Sequence, residues 1–144
     1  MKKLAISLML SLGLVVTAQA GDAASGKQLS ASCAACHGSD GNSPAASFPK
    51  LAGLGEKYLL KQLKDFKSGA RANPIMAGQV AVLNESQMGD VAAYYASQTR
   101  SVGYAAKDKV ALGEKIFRAG NKATGVPACL ACHGADGQGM SAAG

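Results

Sequence analysis

Cys33-Ala34-Ala35-Cys36-His37 and Cys129-Leu130-Ala131-Cys132-His133 are two copies of one pentapeptide, and together they use all four cysteines and both histidines of the chain. Cys-x-x-Cys-His is the pattern of a c-type haem attachment site. The spacing follows from the chemistry. Two thiols on one helical turn can each form a thioether with one of the two vinyl groups of the porphyrin, and the next residue then sets an imidazole beneath the ring. Tether and fifth iron ligand thus come from the same five residues. Beyond the pentapeptides the copies also agree at Gly38/Gly134, Asp40/Asp136 and Gly41/Gly137, an internal repeat. Other uses of four cysteines explain less. Two disulfides leave both histidines without a purpose. A structural zinc site needs two ligand pairs, and these lie far apart in the chain. A redox Cys-x-x-Cys belongs in a βαβ pattern that is not visible. The expectation is two covalently bound haem c groups, one on Cys33, Cys36 and His37 and one on Cys129, Cys132 and His133.

Ahead of the first motif, residues 1–20 have the form of a cleavable secretory leader. Lys2 and Lys3 precede an apolar run from Leu4 to Val16, and Ala18-Gln19-Ala20 offers the small-x-small cleavage pattern, so the exported chain should begin at Gly21. The apolar run is short for a retained membrane anchor, and no cysteine follows the cleavage site to carry a lipid. Export into a bacterial periplasm is expected, an oxidising compartment in which haem attachment consumes the thiols. Cleavage would remove two lysines and no acid, lowering the formal charge from +6 to +4. The propionates of two haems would offset that remainder, so the basic pI of about 9.3 argues little for nucleic acid. The absence of Trp and the 5% aromatic content give no stacking surface for bases.

Helical periodicity dominates what remains. Asp22 to about Ala35 is expected to be one helix with Asp22 as N-cap and Leu29 and Cys33 on one face. Gly38 to Gly53 is a loop by its glycines and prolines. Glu56 to Lys67 forms the next helix, with Leu59, Leu63 and Phe66 on one stripe and Lys57, Lys61 and Lys64 on another. Ala70 to Ala81 is expected to be a second loop. A third helix starts at Asn84-Glu85-Ser86-Gln87, a capping box, and frays near Thr99. Residues 21–100 thus make one all-α unit and 101–108 a linker. Residues 109–144 begin a second unit, in which Gly113-Glu114-Lys115-Ile116-Phe117 echoes Gly26-Lys27-Gln28-Leu29. The approach to the motif is longer there and contains Gly120, Gly125 and Pro127, which predicts an insertion after the helix. The chain stops soon after the second motif, so this unit is expected to be the start of a longer copy.

The sixth iron position separates electron carriers from ligand-binding haems, because a Met thioether closes the site and raises the potential. Three methionines follow the leader. Met88 lies on the apolar stripe of the third helix and is expected in the core. Met76, in the Pro-containing stretch between helices, is the candidate sixth ligand of the first haem. Met140 stands too close to His133 to reach the other side of the same ring. The iron ligands read from sequence are therefore His37, Met76 and His133. A haem-ligating histidine also needs an acceptor for its second nitrogen, and the Pro49 carbonyl is the candidate for His37. The equivalent of Pro49 in the second unit would fall one residue past Gly144.

The order of helix, Cys-x-x-Cys-His-Gly-x-Asp-Gly, Phe48-Pro49-Lys50-Leu51-Ala52-Gly53, helix, Met segment and helix resembles a class I cytochrome c domain. The twin arrangement resembles the cytochrome c4 family, periplasmic dihaem electron-transfer proteins. Asn42-Ser43-Pro44, Tyr58-Leu59-Leu60-Lys61-Gln62-Leu63 and Val91-Ala92-Ala93-Tyr94-Tyr95-Ala96-Ser97-Gln98 carry the likeness, which extends from Gly21 to Gly144. It implies an all-α fold, His/Met ligation of both haems, and a pair of domains exchanging electrons internally. The function it implies is an electron shuttle, not an enzyme, with redox proteins as partners. These would be a membrane quinol-oxidising complex and a terminal oxidase or reductase, reached by peripheral association with membrane complexes. Lys50, Lys57 and Lys61 are candidates for steering an acidic partner. Two other classes remain open at this stage: a dihaem peroxidase with one open haem, and a gas-binding haem module.

Overall fold

The computed structural model describes residues 20–139; residues 1–19 of the leader and Met140 lie outside them. Among the described residues the secondary structure is helical throughout, apart from one isolated antiparallel bridge between Asn121 and Val126.

Helix α1 runs Ala23–Leu29, and Asp22 caps it as expected, its carboxylate accepting from Ala24 N at 2.8 Å. That hydrogen bond, followed by those from Ser25, holds the Asp22 carboxyl below the usual carboxylate range. The helix does not continue to Ala35. It ends at Leu29, where the Ser30 hydroxyl donates to Lys27 O at 2.9 Å and so competes for the backbone carbonyls that would carry the helix on. The first motif sits on a separate turn, α2, Ala34–His37.

Helix α3 spans Glu56–Ser68 and closes at Gly69, whose φ of 82° is the left-handed cap glycine accepts most readily. Leu59 and Phe66 are buried on one face, while Lys57 and Lys61 are exposed. The stretch expected as a loop over 70–81 is instead largely helical: α4 occupies Pro74–Ala81. Asn73 is its N-cap, accepting from Met76 N at 3.0 Å, and Pro74 takes the first helical position, where its missing N–H costs nothing. Asn-Pro marked a helix start here and not a turn. Helix α5, Glu85–Ala96, opens with the predicted reciprocal box, Gln87 N to Asn84 Oδ1 and Asn84 N to Gln87 Oε1, both 2.9 Å.

Helix α5 forms the centre of the first unit, with α1 and α3 packed on it and α4 on α3. Leu59, Val91, Ala92, Tyr94 and Tyr95 form the core cluster, with Leu29 and Cys33 against it. Two adjacent tyrosines there make opposite predictions. Tyr94 OH donates to Ser39 O at 2.6 Å, tying α5 to the turn after the first motif. Tyr95 OH, in a residue only 1% exposed, has no hydrogen-bond partner among the described residues, and burial pushes its phenol well above its ordinary pKa. In denaturant unfolding, Tyr94→Phe should cost about 1 kcal/mol for the lost bond. Tyr95→Phe should be neutral or stabilising, since it removes a desolvated hydroxyl.

Helix α6, Lys107–Ala119, begins inside the stretch read as linker and buries no residue. The expected insertion follows as a small closed loop. Asn121 N and Val126 N each donate to the other's carbonyl, at 2.8 and 3.0 Å, around a 3₁₀ turn at Lys122–Thr124. The second motif then forms α7, Leu130–His133.

Candidate functional site

The two motifs adopt the same local geometry. Cys33 and Cys129 precede their turns with φ, ψ of −70°, −31° and −61°, −34°. His37 N and His133 N return to the carbonyl of the first cysteine at 2.9 Å in both cases. Gly38 and Gly134 stop the turns with φ of 81° and 77°, a conformation that any side chain would strain. A single helical turn therefore presents both thiols and the imidazole of each motif from one short segment.

Around His37 the fold adds three constraints. The side chain is only 7% exposed. Its Nδ1 lies 2.9 Å from Pro49 O, as expected from sequence. A carbonyl can only accept, so Nδ1 carries the proton and Nε2 is left with its lone pair, the tautomer an iron ligand requires. Phe48 stands edge-on to the imidazole with ring centroids 6.4 Å apart. Burial pushes the Cys33 thiol up, with a smaller opposing effect from Ser32. Donor set and tautomer both fit a covalent haem with a neutral histidine ligand: two thiols, one free imidazole nitrogen, and a fixed ring.

The segment carrying Pro49 is fastened at several points. Leu51 N and Ala52 N both donate to Gly41 O, at 2.8 and 3.1 Å. Gly41 has φ of 75°, and a Cβ there would lie 2.8 Å from Ala52 N and Tyr95 Cδ1. The Asn42 amide donates to Thr99 O and to Asp40 Oδ2, both at 2.9 Å, and Asn42 Oδ1 accepts from Ser101 N at 2.7 Å. Arg100 Nε reaches Ala52 O at 3.0 Å and Lys50 Nζ reaches Ser101 Oγ at 2.7 Å. Ser43 Oγ lies 3.0 Å from Cys36 O. Asp40 and Gly41 stand in the repeat, and Asn42, Ser43 and Lys50 to Ala52 in stretches that carry the family likeness, but nothing in the sequence marked any of them for this anchoring role. Their partners stand up to 59 positions away, so no local pattern announces them.

Met76 is half-buried on α4, its backbone held by the Asn73 cap. Lys67 caps the far end of that helix, its ammonium donating to Leu83 O and lying 3.4 Å from Ala81 O. Met88 is 4% exposed within α5, in the core as expected. At the second motif, Cys132 and His133 are exposed and Cys129 is half-buried. Among the described residues no acceptor meets the His133 ring. Of the three lysines proposed to steer a partner, Lys50 is engaged by Ser101 and Lys61 pairs with Asp65 at 2.6 Å. Lys57 is exposed, with no ion pair among the described residues.

The family model for cytochrome c matches residues 23–99. Cytochrome c4 of Pseudomonas aeruginosa is 53% identical over 145 residues, covering all of this chain and 72% of that protein. The thiosulfate dehydrogenase electron acceptor of Thiomonas intermedia is 42% identical over 112 residues, 72% of this chain and 50% of that one. Among solved structures, reduced recombinant cytochrome c4 from Pseudomonas stutzeri superposes with a TM-score of 0.80 at 48% identity, over 86% of this chain and 70% of that one. The paired Cys-x-x-Cys-His turns, the buried His37 and these likenesses agree, and the chain belongs to the cytochrome c4 family, c-type cytochromes that carry electrons on covalently bound haem c.

Proposed function

We propose that this chain is a periplasmic dihaem shuttle carrying electrons from a membrane quinol-oxidising complex to a terminal oxidase or reductase. In this reading residues 21–100 form the first haem domain, with Cys33 and Cys36 as tethers and His37 and Met76 as iron ligands. Residues 101–108 lead into the second unit, where Cys129, Cys132 and His133 take the second haem. The haem, when bound, supplies a one-electron ferric/ferrous couple. The chain's own contribution is to keep ligands and surroundings still. The observation that carries the reading is the 2.9 Å contact of His37 Nδ1 with Pro49 O, within a loop fastened to both Gly41 and the segment after α5. A ligand locked in this way moves little between oxidation states, which favours rapid transfer. Hydrogen bonding to Nδ1 also tunes the donor strength of the other nitrogen.

The test uses protein exported with its own leader and loaded with haem in the periplasm. Intact mass gives the number of haems, expected to be two. Stopped-flow mixing with a quinol-oxidising complex and with an oxidase should then show reduction and reoxidation, with rates falling as salt rises if Lys57 and its neighbours steer the encounter. The likeness to a thiosulfate dehydrogenase electron acceptor supports a second electron source, a periplasmic dehydrogenase. Faster reduction by that enzyme than by the quinol-oxidising complex would favour it. Rapid peroxide turnover by the native protein would place it among enzymes instead, and tight carbon monoxide binding at one native haem would favour a gas-binding module.

A further inference from the structure

The corner where α1, α3 and α5 meet is built around the backbone nitrogen of residue 21. Gly21 N donates to Glu56 Oε1 at 3.0 Å, on the first turn of α3. The next nitrogen, Asp22 N, donates to Asp90 Oδ1 at 2.8 Å, on α5. Two consecutive N–H groups thus each engage a carboxylate from a different helix. The recess is also lined by Leu60, Asp22 and Glu85. Lys64 is the base that answers this acidity, and it pairs with Glu85. Residue 21 has no room for a side chain: a Cβ would fall 2.2 Å from Gly89 O and 2.8 Å from Asp90 N. Glycine is therefore required there by packing. This is the residue that follows Ala18-Gln19-Ala20, while Ala20 itself is exposed.

We propose that removal of the leader at the Ala20–Gly21 bond turns the Gly21 nitrogen into an α-ammonium that forms an ion pair with Glu56, so that export processing installs the charge that fastens α1 to α3 and α5. The proposal rests on reading the chain as an exported protein cleaved after Ala20. The covalent step is hydrolysis by a leader peptidase. Water adds across the Ala20 carbonyl carbon and the Gly21 nitrogen, hydroxyl to carbon and hydrogen to nitrogen. At neutral pH the new Ala20 carboxyl releases a proton and the new amine binds one. Before cleavage an amide with a single N–H faces this acidic corner. Afterwards a cation with three N–H donors does so, and its bond to Glu56 becomes charge-assisted and stronger.

The sign of the pH dependence follows. Glu56 contacts the nitrogen directly, Asp22, Glu85 and Asp90 line the same recess from α1's cap and α5, and Lys64 of α3 is paired with Glu85. Their balance favours the cation, raising its folded pKa above the ordinary α-amine value of about 7.7–8.0. Its stabilising effect is complete below the unfolded pKa and is lost as pH rises through the folded one.

The experiment takes the haem-loaded protein exported with its own leader. N-terminal sequencing and intact mass establish where it starts, expected at Gly21. The rate at which an amine reagent labels that terminus is then followed against pH for wild type and Glu56→Gln. Near pH 8 the wild-type amine should label roughly three- to tenfold more slowly. The wild-type advantage in thermal midpoint should shrink as pH rises past the labelling half-point. Should Glu56→Gln not accumulate, an alanine inserted between Ala20 and Gly21 displaces the ammonium from Glu56 and should speed labelling likewise. Equal labelling of wild type and variant would overturn the ion pair. A start other than Gly21 would overturn the cleavage reading on which it rests, and the mass separates the two failures.

Discussion

Met76→Ala in the haem-loaded protein should lower the potential of the first haem and open its iron to carbon monoxide. Three observations support the proposed role of Met76 as sixth ligand. It is half-buried near the start of α4. The helix is held at both ends, by the Asn73 cap and by Lys67 donating to the carbonyls of Ala81 and Leu83. Met88, the other methionine among the described residues, is committed to the α5 core. A thioether stabilises ferrous over ferric iron, so its removal favours oxidation. The fall should be on the order of 0.1 V or more, a modest part of the roughly 0.8 V over which axial ligands set haem potentials. Redox titration and the visible spectrum check it, and a variant unchanged in both would give the sixth position to another group.

The largest effect on stability is expected from Gly26→Ala. A glycine inside a helix is ordinarily worth replacing, since alanine gains about 1 kcal/mol in propensity. At position 26, however, a Cβ would lie 2.0 Å from Asp90 O and 2.8 Å from Tyr94 Cβ, at the crossing of α1 and α5. The nearest obstacle is backbone, which cannot turn aside as a side chain can, so the helices must separate. Overpacking of this kind costs about 1–3 kcal/mol or more, and here it falls on the most extensive helix contact of the fold. The net loss should be about 2 kcal/mol, which for a domain of this size lowers the thermal midpoint by roughly 8–16 °C. Gly89→Ala is the control. It lies in α5 with nothing within 4 Å of the added Cβ, so the propensity term should win and the midpoint should rise. If both variants were equally destabilised, the loss would not come from the helix crossing.

Much of this was legible along the chain because the deciding signals were short-range. Capping residues act within three or four positions, and the Asn84 box and the Asp22 cap formed as their spacing predicts. The apolar stripes of α3 and α5 came to lie in the core. Two stretches went otherwise, for reasons equally local. Ser30 turned its hydroxyl on the backbone and ended α1 early. Asn73-Pro74, which composition alone assigns to a loop, acted as cap and first residue of α4.

The repeated pentapeptides separate what each level decides. By itself the sequence determined the motif's shape in both copies: the helical turn, the return of the histidine N–H to the first cysteine, and the left-handed glycine that ends it. All of these act between residues no more than four positions apart. What only the tertiary structure decided is the setting of His37, which is buried and has its proton fixed by Pro49 O. Burial and tautomer depend on a loop anchored by Gly41, Asn42 and Lys50 to Ala52, Thr99 and Ser101. Such contacts require the chain to fold back on itself, because the groups that make them are up to 59 positions apart.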